Sequence, residues 1–147
     1  MLKIFSATTN NLDQLTHLFD LYRQFYGQDS DILNAKQFLS KRLAQQESKI
    51  FIAELDGSSV GFVQLYPSFS SVSMQKIWIL NDLFVVEQAR KQGVANALME
   101  KAKDLATETL AVRLELSTQQ DNRKAQALYE KLGYVKDNEY YHYSLSL

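Results

Sequence analysis

The apolar positions of the chain change period several times, and each change marks an element. Leu2–Ala7 is a short apolar run that predicts a strand. Leu12, Leu15, Phe19, Tyr22 and Tyr26 then recur at helical spacing up to Gly27. Asn10 suits the cap of that helix and Asp13 its first turn, where the dipole favours a negative charge. After a polar loop from Gly27 to Asn34, Phe38, Leu39 and Leu43 predict a second helix over Ala35–Gln46. Lys49–Leu55 and Val60–Tyr66 flank Asp56-Gly57-Ser58-Ser59, and the Asp-Gly pair marks a β-hairpin. Pro67, which cannot donate to a ladder, predicts the end of the second hairpin strand, and Ser68–Ser73 a Ser-rich connection. Lys76–Val86 is rich in Ile, Val and aromatic residues and reads as a long strand.

Downstream of it, Val94, Leu98, Ala102 and Leu105 share one face of a helix expected over Lys91–Leu110. Val112–Leu116 reads as a strand. A further helix starts at Asp121 or Asn122 and stops at Gly133. Tyr134–Val135 and Glu139–Leu147 are expected as closing strands around a polar Lys136-Asp137-Asn138 turn. The order β-α-α-β-β-β-α-β-α-β-β predicts an α/β chain with a mixed, mostly antiparallel sheet and helices on both faces.

Composition narrows the chemistry. At 147 residues the chain is expected to form a single domain over 1–147. Its formal net charge of -1 offers no basic stripe, so no nucleic-acid partner is expected. There is no Cys, which excludes disulfides, thiolate nucleophiles and Cys-based metal sites. Only His17 and His142 are present, so no metal is expected. No apolar run is long enough to cross a bilayer, and the N-terminus lacks the core of a signal peptide, which points to a cytoplasmic protein without a membrane partner. The aromatic run Glu139–Leu147 reads as an exposed edge, and edges tend to be covered or paired, so a homodimer is expected.

Two segments carry the chemistry. Asn81-Asp82-Leu83-Phe84-Val85-Val86-Glu87-Gln88-Ala89-Arg90-Lys91-Gln92-Gly93-Val94-Ala95-Asn96-Ala97-Leu98 reads as a strand, a turn, and Arg-x-x-Gly-x-Ala opening a helix. A helix N-terminus presents unpaired N–H groups suited to a diphosphate, and Gly93 lets backbone approach a ligand. Asn122-Arg123-Lys124-Ala125-Gln126-Ala127-Leu128-Tyr129-Glu130-Lys131-Leu132-Gly133-Tyr134 supplies an Asn at a helix start and a Tyr one turn after Ala125. In this order the two segments resemble the GNAT family of N-acetyltransferases, and the order of elements matches the fold of that family along almost the whole chain.

The resemblance implies acetyl-CoA as co-substrate. It implies diphosphate contacts from Gln92, Gly93, Val94, Ala95 and Asn96, with Arg90 and Lys91 adding positive charge. Ala95 stands where many relatives carry Gly. Main-chain atoms of Leu83, Phe84 and Val85 would hold the pantetheine arm where the strand splays from its neighbour, and the Val85 N–H would stabilise the oxyanion. Asn122 and Ala125 would meet the CoA arm, and Tyr129 would be the general acid and touch the sulfur. Asp82 is the better candidate base, with Glu115 the other acid on a strand flanking the gap. The acceptor is expected to be a primary amine of a small molecule or peptide, attacking directly in a ternary complex. Tyr26, Asn81 and Glu115 are its expected binding residues, and Tyr22, Phe69, Trp78, Tyr140, Tyr141 and His142 are further lining candidates. Leu80-Asn81-Asp82-Leu83-Phe84-Val85 is similar to the diamine acetyltransferase-like branch, except that Asn81 replaces an acidic residue suited to a polyamine. The alternatives are a non-catalytic acyl-CoA-binding or sensing module, and an acyltransferase acting on protein N-termini.

Overall fold

The computed structural model describes residues 1–147. Its sheet runs in the order β1-β2-β3-β4-β5, from β1 (Leu2–Ser6), β2 (Lys49–Leu55), β3 (Ser58–Ser70), β4 (Gln75–Val85) and β5 (Arg113–Leu116). The first four strands pair antiparallel in sequence order. β5 pairs parallel with β4, after the crossover helix α3 (Val94–Glu108). The hairpin forms where Asp56-Gly57 predicts it. Both residues are left-handed, at φ 50 and 85, and Leu55 faces Ser58.

Two helices, α1 (Leu12–Phe25) and α2 (Ile32–Ala44), cover one face. Leu15, Leu18 and Phe19 of α1 meet Ala35 and Leu39 of α2 above Ile50, Ile52, Phe62 and Phe84. Each Leu, Ile or Phe among them contributes roughly 1.5–3 kcal/mol when fully buried. On the other face α3 buries Val94, Leu98, Met99, Ala102, Leu105 and Ala106. Gly61 has no room for a side chain in this packing. A Cβ there would lie 2.7 Å from the Phe84 carbonyl oxygen and 3.4 Å from a Leu98 methyl.

Several expected boundaries move, each for a local reason. Thr8, not Asn10, makes the first cap, in a reciprocal box with Asn11 at the start of a short 3-10 turn, Thr9–Asn11, that leads into α1. The second helix starts at Ile32 because the Asp31 carboxylate accepts the Asn34 N–H at 3.2 Å. Pro67 does not end β3, which runs on to Ser70 opposite β4. Pairing with β2 stops at Lys49 opposite Leu65, so Pro67 stands where β3 has a neighbour on one side only. The third helix starts at Val94 rather than Lys91, because Lys91 and Gly93 are left-handed, at φ 62 and 80.

The chain divides into two compact units, Met1–Leu116 and Ser117–Leu147. The second is built on α4 (Arg123–Lys131). The Asn122 carboxamide oxygen caps it by accepting the Ala125 N–H at 3.3 Å, and Gly133, at φ 93, closes it. The expected strands at Tyr134–Val135 and Glu139–Leu147 do not form, and no ladder runs along residues 135–147. Tyr141, Tyr143, Leu145 and Leu147 do alternate with polar residues, but a strand also needs a paired backbone. The edge strand from which a homodimer was expected is therefore absent.

Candidate active site

β4 is paired on both sides for only part of its length. β5 accompanies it from Ile77 to Leu80 and stops there, at Leu80 opposite Leu116. Beyond that point only β3 lies alongside. The Val86 N–H reaches back to the Val60 carbonyl at 2.8 Å, so alternation turns the main chain of Val85 and Leu83 toward the open edge. The β3–β4 register also slips here. Gln64 faces Asp82 while Leu65 faces Leu80, leaving Asn81 as the extra residue of a bulge. No second strand pairs with β4 along Leu83–Val85, on the side that the Val85 N–H faces.

The chain leaves that edge through a 3-10 turn, Glu87–Ala89, and enters α3. Gly93 holds the N-cap position without a side-chain cap, so the first amides of α3, on Val94, Ala95 and Asn96, have no partner inside the helix. Arg90, Lys91, Gln92 and Asn96 are exposed around this end. Arg90 does more than add charge. Its Nε donates to the Val85 carbonyl at 3.0 Å, and its guanidinium lies 5.6 Å from the Phe25 ring centre. It thereby ties the turn to the end of β4 and to α1. Uncapped amides, two cations and an open strand edge fit a chain of phosphates continued by an extended amide-bearing arm.

Three residues before Val85 on β4, Asp82 is only 3% exposed. Its Oδ1 accepts from Tyr22 Oη at 3.1 Å and Asn81 Nδ2 at 2.7 Å, and its Oδ2 from Gln64 Nε2 at 2.5 Å. Burial pushes the carboxyl above its ordinary value, and the hydrogen bonds from Gln64, Asn81 and Tyr22 recover only part of that shift. The surrounding phenols respond to the same site. Burial, and then the Asp82 charge, push Tyr22 well above the usual phenol range, raise Tyr26, and move Tyr66 up to about 12. Tyr22 therefore keeps its proton and donates it. Its ring also meets Tyr26, Phe62 and Phe84 edge-on at 5.1, 5.6 and 6.2 Å.

The structure thus brings together Asp82, Asn81, Leu83, Phe84 and Val85 on β4, Arg90 to Asn96 on the turn and α3, and Tyr26 on α1. Glu115 stays apart. It stands opposite Ile79 on the paired part of the ladder, and its exposed carboxylate takes Arg113 Nε at 2.6 Å. Trp78 donates its indole N–H to Thr109 Oγ at 2.8 Å, and Phe69 is exposed. Tyr129 lies in α4, its ring 6.0 Å from that of Tyr134, and Asn122 and Ala125 form the cap of the same helix. Sequence reasoning missed Gln64 and the role of Tyr22 as a donor. One signal for Gln64 was available: it is the only polar side chain in the apolar run Val60–Leu65.

Among the described residues no group of His, Cys, Asp or Glu is placed to hold a metal ion, and no helix is long and apolar enough to cross a membrane. Residues 13–134 match the acetyltransferase (GNAT) family. The chain is 48% identical over 146 residues to an uncharacterized N-acetyltransferase of Bacillus subtilis (strain 168), covering 99% of this chain and 98% of that one. It is 40% identical over 114 residues to a probable acetyltransferase of Haemophilus influenzae, covering 77% and 78%. The crystal structure of a probable acetyltransferase superposes with a TM-score of 0.93 at 47% identity, covering 99% of this chain and 97% of the other.

Proposed function

The chain belongs to the acetyltransferase (GNAT) family, and we propose that it transfers an acetyl group from acetyl-CoA directly to a primary amine of a small molecule or peptide. The observation that carries this reading is the pairing of a half-open β4 with an uncapped α3 N-terminus, with a buried carboxylate beside the open edge. In this reading acetyl-CoA supplies the acyl group as a reactive thioester. The amides of Gly93 to Asn96 bind its diphosphate, helped by Arg90 and Lys91, and the main chain of Leu83 to Val85 pairs with its arm. The Val85 N–H points where a carbonyl oxygen gains charge, and such a donor contributes about 2.7–4 kcal/mol to the transition state.

The amine arrives as a cation with a pKa of about 10.4 and must lose a proton before it attacks. Asp82 takes that proton, directly or through one water. A carboxyl raised toward the working pH is a better base than an ordinary one. We assign Tyr129 the proton that the departing thiolate needs, on its place in the helix opened by Asn122. As the C–N bond forms and the C–S bond breaks, the ammonium loses two protons in all: one goes to Asp82, the second leaves the new amide nitrogen to solvent, and Tyr129 protonates the sulfur and regains its proton from solvent.

Thiol release from acetyl-CoA tests this across a panel of a diamine, an arylalkylamine, free amino acids and a short peptide, with the product mass confirming a gain of one acetyl group. Turnover on at least one amine is expected. Tyr129→Phe should lose about 10²-fold or more in kcat while binding acetyl-CoA as before. Full activity in that variant removes Tyr129 as the acid.

A further inference from the structure

Gln64 is fully buried in the middle of β3, between Val63 and Leu65. A buried carboxamide there is costly unless all of it is bonded. Its oxygen accepts from Ser48 Oγ at 2.8 Å, and its nitrogen donates to Asp82 Oδ2 at 2.5 Å. Register places Gln64 directly opposite Asp82, and Ser48 just before β2, so the three side chains cross the sheet in a row. We propose that Gln64, keyed by Ser48, is a positioning residue that holds Asp82 ionised and aims one free position of its Oδ2 at the proton of the acceptor amine. This rests on the reading of Asp82 as the base.

The direction of each bond in the row fixes the argument. An ionised carboxylate only accepts, so the amide must turn its nitrogen toward Asp82 and its oxygen toward Ser48. Ser48 must then donate, as it does. A protonated Asp82 could instead donate to the amide oxygen, which would require the amide to flip and Ser48 to accept. The order in the structure is the one a charged carboxylate needs, and it leaves no place for a proton on Oδ2 toward Gln64. A carboxylate has about four acceptor positions. Tyr22 and Asn81 take those of Oδ1 and Gln64 takes one of Oδ2, which leaves a single position on Oδ2. The titratable groups facing Asp82 are Tyr22 and Tyr26 from α1 and Tyr66 from β3, and no cation is among the influences on it. With no cation to keep it charged, Asp82 depends on its hydrogen bonds, and the one from Gln64 is the shortest of the three. Ser48 also lines a cavity of about 550 Å³ with Thr8, Lys49, Pro67 and Trp78, so the outer end of the row borders open space.

The test combines carboxyl carbon NMR titration of the full chain, labelled at Asp, with the pH profile of kcat/KM on the best amine of the panel. In Gln64→Leu the Asp82 midpoint should rise by about one to two pH units, the worth of a hydrogen bond to a charged group. The acid limb of kcat/KM should move by the same amount, with acetyl-CoA affinity unchanged. Ser48→Ala should shift both the same way by less, and it carries the test alone if Gln64→Leu does not fold. An unmoved Asp82 midpoint in a folded variant overturns the role of Gln64. A midpoint that moves while the kinetic limb stays put overturns Asp82 as base and leaves its coupling to Gln64 standing.

Discussion

Asp20 and Asp82 are both 3% exposed, and each accepts three hydrogen bonds, yet they are held in opposite ways. At Asp20 burial raises the carboxyl, but the Asp31 N–H at 2.8 Å, Ser30 Oγ at 2.7 Å and Gln24 Nε2 at 2.9 Å outweigh it, and the nearby Arg23 charge adds to them. Its net shift is downward. Asp82 lies much deeper in the protein than Asp20, its donors are all side chains and no cation helps, so burial wins. The first carboxylate is locked in its charged form and fastens the loop between α1 and α2. The second is held with its carboxyl above the ordinary value. A buried acid with a main-chain donor and a cation beside it is a structural clamp. One among aromatic rings, with donors that can turn, is suited to proton transfer.

The sharpest way to break this comparison is to neutralise each acid in turn. Asp82→Asn should lower kcat/KM by about 10² to 10⁴. Its melting temperature near neutral pH should fall by less than that of Asp20→Ala, because the amide keeps one acceptor oxygen, and a raised carboxyl contributes stability in full below its ordinary value of 3.8 that is lost as pH rises through the folded value. Its deficit should widen in acid, where the native carboxyl gains stability that the amide cannot. Asp20→Ala should do the reverse. It should cost about 1–3 kcal/mol by stranding buried donors, or roughly 2–4 °C in melting temperature per kcal/mol, with kcat nearly intact. A lowered carboxyl contributes stability above 3.8 that is lost as pH falls through the folded value, so this cost should shrink in acid. Calorimetric melts of both variants from pH 3 to pH 7, beside thiol-release kinetics, read all four outcomes. If Asp20→Ala loses the more activity and Asp82→Asn the more stability, the two roles are reversed.

Smaller effects sharpen the picture around β4. Gly61→Ala forces a Cβ against the Phe84 carbonyl, which should displace the end of β4, cost about 1–3 kcal/mol and weaken acetyl-CoA binding. Gly93→Ala meets no atom but must hold φ 80, a strain of about 1–2 kcal/mol at the mouth of α3. Its effect should fall on acetyl-CoA affinity, read by titration, more than on kcat.

Local signals made much of the fold legible in the sequence. Asp56-Gly57 specified its hairpin because two left-handed residues in a row leave few other turns. The stripe Leu12, Leu15, Phe19, Tyr22 named the buried face of α1, and the turn at Gly93 was readable because glycine there serves a backbone angle. The Asp82 network was half legible. Asp82 could be picked out by its place before the turn, but Gln64 and Tyr22 lie 18 and 60 residues from it in sequence, and no local pattern records who will face whom across a sheet. Pro67 misled because its cost depends on whether β2 is still alongside. The C-terminal alternation misled because it describes one strand without supplying its partner.

The central claim is most directly tested by calorimetric titration of the full chain with acetyl-CoA. The account predicts one site per chain with a dissociation constant in the micromolar range, weakened by Gly93→Ala and unaltered by Asp82→Asn. A folded protein that gives no binding heat at any temperature and leaves its melting point unmoved by acetyl-CoA would contradict it.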